Sequence, residues 1–131
     1  MSYQEKYEKR KKNILNLFTD CFLECNILND NMFSLKSCEF KNARDEDDYI
    51  EFLFERNDNL YLLIHFWIHF WIDYKYDDNF SVTYLLKKKD SFNSHILLKN
   101  NISFKHLAGS TLNEKINGLC KKISKQIYQF Q

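Results

Sequence analysis

The stretch that decides the fold is Leu60–Tyr76, LYLLIHFWIHFWIDYKY, in which every even-numbered position is apolar or aromatic. The odd-numbered positions include the polar side chains of His65, His69 and Asp73. An alternation with a period of two is typical of a β-strand that buries one face. Fully extended, this run would span about 55 Å, far more than an ordinary strand. We therefore expect a bulge or a sharp bend inside it.

A helix is the competing interpretation of this stretch, because His65, His69 and Asp73 would then form one polar stripe. Two histidines four residues apart on a helix can converge on one metal ion. The enrichment in aromatic and β-branched residues, the lack of a helix cap and the turn residues on both sides favour the strand. On a strand the two histidines lie about 13 Å apart. We therefore predict no metal site, and expect the histidines beside Trp67 and Trp71 on the second face of the sheet.

Further alternating runs lie on both sides of this stretch and are separated by asparagine- and aspartate-rich turns. The predicted strands are Phe33–Phe40, Ile50–Glu55 and Phe80–Lys87, with a polar loop at Lys41–Asp48. Two short runs, Ile96–Leu98 and Ile102–Phe104, would form a last small hairpin if Lys99–Asn101 made a turn.

Each end of the chain has the pattern of an amphipathic helix. Ser2 with Glu5, and Thr111 with Glu114, form capping-box patterns at the two helix starts. Apolar residues then recur at helical spacing. In the first helix, which we predict to end near Asn26, they are Tyr3, Tyr7, Ile14, Leu17, Phe18, Cys21, Phe22 and Cys25. In the second they are Leu112, Ile116, Leu119, Cys120, Ile123, Ile127 and Phe130.

The predicted fold is a single α+β domain, residues 1–131. It has an N-terminal helix, a four- to five-stranded antiparallel sheet with one long bent strand, and a C-terminal amphipathic helix. With 44% hydrophobic and 28% charged residues, the chain is too apolar for a disordered protein and too charged for a membrane protein. No secretion signal or membrane-spanning stretch is evident. We expect a cytoplasmic protein whose four cysteines, Cys21, Cys25, Cys38 and Cys120, are mostly buried, reduced thiols.

Charge is segregated along the chain behind a net charge of +1. Residues 1–44 carry 8 basic and 6 acidic side chains, residues 45–78 carry 2 and 10, and residues 79–131 carry 9 and 2. If neighbouring strands pair, Asp73, Asp77 and Asp78 mark one hairpin end, and Asp45–Asp48 would lie near it. A negative surface of this kind attracts a cationic partner from a distance.

A metal-dependent nuclease is one alternative. Asp73-Tyr74-Lys75 fits the acid-x-lysine half of a restriction-enzyme motif, with Glu51 or Glu55 on the adjacent strand as the second carboxylate. The tripeptide Glu39-Phe40-Lys41 fits equally well, and so many acids and lysines produce such matches by chance. With two glycines in all, the chain offers no phosphate-cradling loop, and we predict no cofactor.

A nucleic-acid-binding module is a further alternative, because basic residues cluster in the C-terminal third and near the N-terminus. They are Lys87–Lys89, Lys121, Lys122, Lys125 and the run Lys9–Lys12. The chain has three arginines and no glycine-aromatic RNA signature, so we expect no nucleic acid among its partners.

The small α+β layout, the acidic turn cluster and the exposed aromatic residues resemble bacterial immunity proteins of polymorphic-toxin and contact-dependent growth-inhibition systems. The resemblance implies a non-enzymatic inhibitor that binds a cognate toxin domain, often a basic nuclease, with acidic side chains in place of phosphates. The contact residues it implies are Asp45, Glu46, Asp47, Asp48, Glu51, Glu55, Asp77 and Asp78, with Trp67 and Trp71 as anchors.

Overall fold

A computed structural model of the protein describes residues 2–42, 48–67 and 81–130. Helix α1 spans Tyr3–Glu24, a single helical turn α2 spans Ile27–Asp30, and helix α3 spans Leu112–Ile127. The strands are β1 (Ser34–Asn42), β2 (Asp48–Arg56), β3 (Leu60–Trp67), β4 (Ser81–Lys89) and β5 (Ser94–Ser103). Short 3₁₀ turns follow β5 and α3 at Phe104–His106 and Tyr128–Phe130. The α+β class and the order helix, sheet, helix are confirmed.

The five strands form one antiparallel sheet in chain order, β1-β2-β3-β4-β5, in which each strand pairs with the next. Asn42 lies opposite Asp48, Tyr49 opposite Trp67, and Trp67 opposite Ser81. The end of β1, the start of β2, the end of β3 and the start of β4 therefore lie side by side. This common edge is where the chain leaves β1 and β3 and re-enters β2 and β4.

The hydrophobic core lies between one face of the sheet and the two long helices. The strand residues in it are those predicted from the alternation: Ile50, Phe52, Phe54, Leu60, Leu62, Ile64, Phe66, Val82, Tyr84 and Leu86. Phe18 and Phe22 of α1 pack against the Phe66 ring, at centroid distances of 4.7 and 5.9 Å. Ile116, Leu119, Cys120, Ile123 and Ile127 of α3 are all fully buried.

Both helices start at the predicted caps. The Glu5 backbone N–H donates to Ser2 Oγ at 3.2 Å, and the Glu114 N–H donates to Thr111 Oγ1 at 3.1 Å. One position of the predicted apolar stripe is wrong: Leu17 is 49% exposed. The buried stripe of α1 instead follows Phe18, Cys21 and Phe22, and Leu17 lies beside it on the helix surface.

The structure extends two of the predicted strands and describes only the first part of a third. Leu60–Trp67 is a strand, as predicted, whereas residues 68–76 with the expected bend lie outside the described residues. Lys41 and Asn42 belong to β1, and Asp48 to β2, rather than to a polar loop. Backbone pairing of Lys41 with Tyr49 continues the β1–β2 ladder into that polar stretch.

Residues 94–105 do not form the small hairpin that a turn at Lys99–Asn101 would have made. β5 is one continuous strand along the whole of β4, with Leu97 as an extra residue where the register shifts between the Leu86–Leu98 and Lys87–Ile96 pairs. A turn at Asn100 and Asn101 was one possibility, because these residue types favour turns. In the sheet both find partners on β4 instead. Asn100 Nδ2 donates to Tyr84 Oη at 3.0 Å, and Asn101 Oδ1 accepts from Thr83 Oγ1.

All four cysteines are free thiols. Cys21 and Cys120 are buried, and Cys25 and Cys38 are half-buried. Among the described residues, no helix combines the length and the hydropathy required to cross a membrane.

Candidate functional site

The second face of the sheet is the candidate site. The helices pack against the other face, and no described helix covers this one. Because paired residues on neighbouring strands point to the same side, the register defines its members. We call this surface the outer face. It includes Glu39, Lys41, Tyr49, Glu51, Leu53, Glu55, Tyr61, Leu63, His65, Trp67, Ser81, Thr83, Leu85, Lys87, Lys99 and Asn101.

Three aromatic rings form a cluster at one end of the outer face. Tyr49 lies directly opposite Trp67, and their ring centroids are 4.5 Å apart. The His65 ring is 4.8 Å from Tyr49 and 6.1 Å from Trp67. Contacts of this geometry between aromatic rings are stabilising. We call Tyr49, His65 and Trp67 the aromatic cluster.

Hydrogen bonds hold the cluster in place from both sides. On one side, the Glu51 carboxylate contacts His65 Nε2 at 2.9 Å and Lys41 Nζ at 3.2 Å. On the other side, the indole N–H of Trp67 donates to Thr83 Oγ1 at 3.1 Å. Thr83 in turn donates to Asn101. These contacts join side chains from all five strands and fix both Trp67 and His65 in orientation.

The charges in this network are set by burial and by Glu51. The pKa of His65 is lowered because burial of the ring outweighs the opposing effect of its hydrogen bond to Glu51. The imidazole is therefore neutral at pH 7, and its Nε2–H donates to the carboxylate. The hydrogen bond to Glu51 raises the pKa of Lys41, which stays charged. The Glu51 carboxylate thus forms a salt bridge with the charged Lys41 and a hydrogen bond with the neutral His65 ring.

A groove lies beside the aromatic cluster on the outer face, with a volume of about 600 Å³. One wall of the groove is formed by His65 and Trp67, and Leu85 contributes an apolar surface. Hydroxyl, amide and ammonium groups complete its lining: Ser81, Thr83, Asn101 and Lys99. The outer face thus combines a rigid aromatic wall with a polar recess.

Three of the predicted contact residues lie on the outer face with their side chains described. Glu51 and Trp67 are both part of the network around the aromatic cluster, and Glu55 lies further along β2 in the row of Tyr61. Asp48 starts β2 at the common edge. The remaining predicted residues, Asp45, Glu46, Asp47, Trp71, Asp77 and Asp78, lie outside the described residues.

The acidic stretches are nevertheless attached next to the aromatic cluster. Asp45–Asp47 belong to the connection between Asn42 and Asp48, and Asp73, Asp77 and Asp78 to the connection between Trp67 and Ser81. Both connections start and end at the common edge of the sheet, where Tyr49 and Trp67 lie.

The residues considered for a nuclease site are only partly described. Asp73 and Lys75 lie outside the described residues, and Glu51 already bonds Lys41 and His65. Across residues 2–42, 48–67 and 81–130, no three histidine, cysteine, aspartate or glutamate side chains are grouped as metal ligands. His65 lies beside Trp67 on the second sheet face, as the strand interpretation predicted, and His69 and Trp71 fall outside the described residues.

Sequence reasoning missed Tyr49, Thr83 and Asn101 as parts of the site. Tyr49 could have been found, because it has the same odd-numbered parity as Glu51 on β2. Asn101 could not, since its role depends on β5 being a strand rather than a turn.

Comparison of the chain with models of protein families, with curated proteins and with solved structures finds no match in any of the three.

Proposed function

We propose that the protein is a cytoplasmic immunity protein that binds a cognate toxin domain, a basic nuclease, and blocks its active site. The observation that carries this proposal is the aromatic cluster on the uncovered face of the sheet, beside the two acidic connections. The outer face and those connections together form the proposed contact surface.

The aromatic cluster has the properties of a binding anchor. Tryptophan and tyrosine contribute most of the binding energy in many interfaces, especially near the centre of the contact. Trp67 and His65 are already held by Thr83 and Glu51, so binding restricts few additional rotamers. A partner can therefore bind the aromatic cluster with a small entropic penalty for ordering it.

Charge supports a basic partner. Residues 45–78 carry 10 acidic and 2 basic side chains, and both acidic connections join the sheet at the common edge. A negative patch at that edge would speed association with a basic protein and would substitute for the phosphates of its substrate. The aromatic cluster would then provide most of the binding affinity. The acidic connections would increase the association rate and orient the partner.

The test measures binding of the chain to the toxin domain encoded next to it in the source genome, by titration calorimetry and by inhibition of that domain's nuclease activity. We expect Trp67→Ala to weaken binding by about 30-fold or more, as loss of a central anchor does. Tyr128→Ala is the matched control, because Tyr128 is a 73% exposed aromatic residue outside the outer face. Circular dichroism establishes that both variants are folded.

A second arm of this experiment replaces Asp45, Asp47 and Asp48 with lysine, which reverses their charge, and measures the association rate at low salt. We expect a slower association rate with a smaller effect on dissociation. If the neighbouring domain does not bind, or if Trp67→Ala and Tyr128→Ala bind equally well, the proposal is wrong.

A further inference from the structure

Met32 is a methionine at a position that favours glycine. It follows α2 with a φ of 71°, in the left-handed region. The Met32 N–H donates to Asn29 O at 2.9 Å and the Phe33 N–H to Leu28 O at 3.0 Å, which are the two bonds of a Schellman motif. A residue with a Cβ is less stable than glycine in this conformation. The Met32 side chain is also 68% exposed, so packing within the chain offsets little of this cost.

Met32 lines a groove at the end of the sheet opposite the common edge. The groove has a volume of about 590 Å³ and lies between the end of α2, the turn between β2 and β3, and the start of the 3₁₀ turn after α3. Its two large apolar side chains, Met32 and Tyr128, are both exposed. The groove therefore presents these side chains to solvent and leaves space between the elements that carry them.

The groove carries a net negative charge, with two carboxylates and one guanidinium in its lining. Arg56 forms an ion pair with Asp58 and lies over the Phe33 ring, 5.4 Å from its centroid, so both of these charges are engaged within the chain. Asp30 is exposed, and in residues 2–42, 48–67 and 81–130 no cationic side chain pairs with it. A cation from outside the chain can therefore bind Asp30.

The turn between β4 and β5 has the complementary character. Phe92 is 96% exposed at its tip, more than any other large apolar side chain of the described residues. The Asp90 N–H donates to Asn93 O at 2.7 Å and closes the turn. Three lysines, Lys87–Lys89, precede the tip, and the single carboxylate, that of Asp90, contacts His95 Nε2 at 3.2 Å. The hairpin thus combines a protruding ring with a net positive charge.

The hairpin tip and the groove lie at the same end of the molecule. Leu60 pairs with Lys88, and the Lys89 N–H donates to Asn59 O at 3.0 Å, so the β2–β3 and β4–β5 turns are neighbours. With strands about 4.8 Å apart, the centres of the two turns are separated by about 10 Å. Both features therefore belong to one surface patch. A twofold axis through this patch brings the hairpin of each copy opposite the groove of the other.

We propose that two copies of the chain form a twofold dimer in which Phe92 of each copy inserts into the groove of the other, between Met32 and Tyr128. The exposed Lys88 and Lys89 of one copy then lie close to Asp30 of the other, so the charges of the two surfaces are complementary. Each contact is made twice. The left-handed methionine is explained in the same way, because its side chain packs against the second copy rather than within its own chain.

The dimer is expected to be weak. Aromatic side chains bury about 150–250 Å² each, so Phe92 and Tyr128 of both copies contribute roughly 600–1,000 Å², less than a stable interface buries. We therefore expect a dissociation constant in the micromolar range. The aromatic cluster lies at the other end of the sheet and stays free in this dimer, so the proposal does not depend on the proposed toxin-binding function.

Sedimentation equilibrium of the full chain at low salt, over a range of concentrations, tests the proposal. We expect the dimer to be the largest species, and Phe92→Ala to raise its dissociation constant at least about 30-fold, because each dimer loses two anchors. Asp30→Lys should raise it about 5-fold or more at low salt and by less at high salt. Leu17→Ala, which shortens an exposed apolar side chain on α1, is the matched control and should leave it unchanged.

Met32→Gly separates association from folding. Glycine suits the left-handed position, so urea unfolding at a concentration where the chain is monomeric should show no loss of stability. The same variant should raise the dissociation constant about 10-fold or more. An equimolar mixture of Met32→Gly and Phe92→Ala should associate more tightly than either variant alone, because one of the two contacts is then intact.

Four results would overturn the proposal. They are a chain that stays monomeric up to about 1 mM, a folded Phe92→Ala variant that associates as well as the wild type, growth beyond two chains, and a mixture of the two variants that associates no better than each alone. A monomeric chain that binds phosphatidylserine vesicles through Phe92 would assign the hairpin to a membrane surface instead.

Discussion

His65 is subject to opposing influences on its charge. Burial and the positive charges of Lys41 and Lys87 favour the neutral ring, while the hydrogen bond and the negative charge of Glu51 favour the protonated one. The net effect lowers its pKa below the ordinary value of 6.5. The aromatic rings of Tyr49 and Trp67 complete its surroundings.

We expect an NMR titration to place the pKa of His65 below 6.5, and Glu51→Gln to lower it further because the carboxylate is the main influence that raises it. The unfolded chain binds this proton more readily than the folded one. The stabilising contribution is therefore complete above pH 6.5 and is lost as the pH falls through 6.5 toward the folded pKa. An unchanged or higher pKa in Glu51→Gln would contradict the assignment.

At the residue scale, the sequence predicts which face a side chain occupies better than which partner it has. The period-two alternation is sufficient to place Glu51, His65 and Trp67 on the second sheet face. Their neighbours depend on strand register, and a bulge such as the one at Leu97 shifts that register without a signal in the sequence.

The entry into α3 depends on one glycine. Gly109 has a φ of 109°, a backbone conformation that residues with a side chain rarely adopt. A Cβ at this position would lie 2.5 Å from Glu114 Cβ. Glu114 cannot move away easily, because its N–H donates to Thr111 and its carboxylate accepts from the Ser110 N–H at 3.4 Å. Gly118, inside the same helix, has room: the nearest atom to its Cβ would be Ala108 O at 3.4 Å.

These two glycines form a matched pair for a stability measurement. We expect Gly109→Ala to lower the free energy of unfolding by more than about 1 kcal/mol, through strain and collision with the cap. Gly118→Ala should leave it unchanged or raise it by up to about 1 kcal/mol, because alanine favours a helix interior. Urea unfolding measures both. A Gly109→Ala variant as stable as the wild type would show that the cap adjusts freely.

At the element scale, local signals predict where an element starts, while pairing decides where it ends. Both helix starts follow from capping residues that act within three positions of the chain. The end of β1 and the middle of β5 do not, since Lys41, Asn100 and Asn101 are extended only because a neighbouring strand pairs with them. Pairing with the neighbouring strand stabilises the extended backbone by more than the turn preference of asparagine opposes it.

Across the whole molecule, Tyr84 connects the sheet to the C-terminal helix. Its ring is fully buried, its hydroxyl donates to Gln126 of α3, and Asn100 of β5 donates to the same hydroxyl at 3.0 Å. Burial raises its pKa, so the hydroxyl keeps its proton.

We expect Tyr84→Phe to lower the free energy of unfolding by about 1–2 kcal/mol, because it removes both hydrogen bonds and leaves two amides without this partner. Tyr128→Phe, at a 73% exposed position, should change it by less than about 0.5 kcal/mol. Urea unfolding of the two variants is the comparison. Equal stabilities would mean that water replaces the hydroxyl at no cost.

The overall layout is predictable because its signals are strong and repeated: two capped amphipathic helices enclose a series of alternating runs. The arrangement of the acidic side chains is not predictable in the same way. The polar stretch Asp45–Asp47 carries no periodicity, so the sequence indicates only which strands it connects.

The chain-order sheet also has a kinetic consequence. Strands that pair are separated by only a few residues of chain, except β3 and β4, which are separated by residues 68–80. Successive hairpins can therefore form with little loss of loop entropy. The contact between elements farthest apart in the sequence is that of α1 with α3, which lie at opposite ends of the chain. We therefore infer that docking of these two helices on the assembled sheet is the late step, and that substitutions at their contact mainly accelerate unfolding.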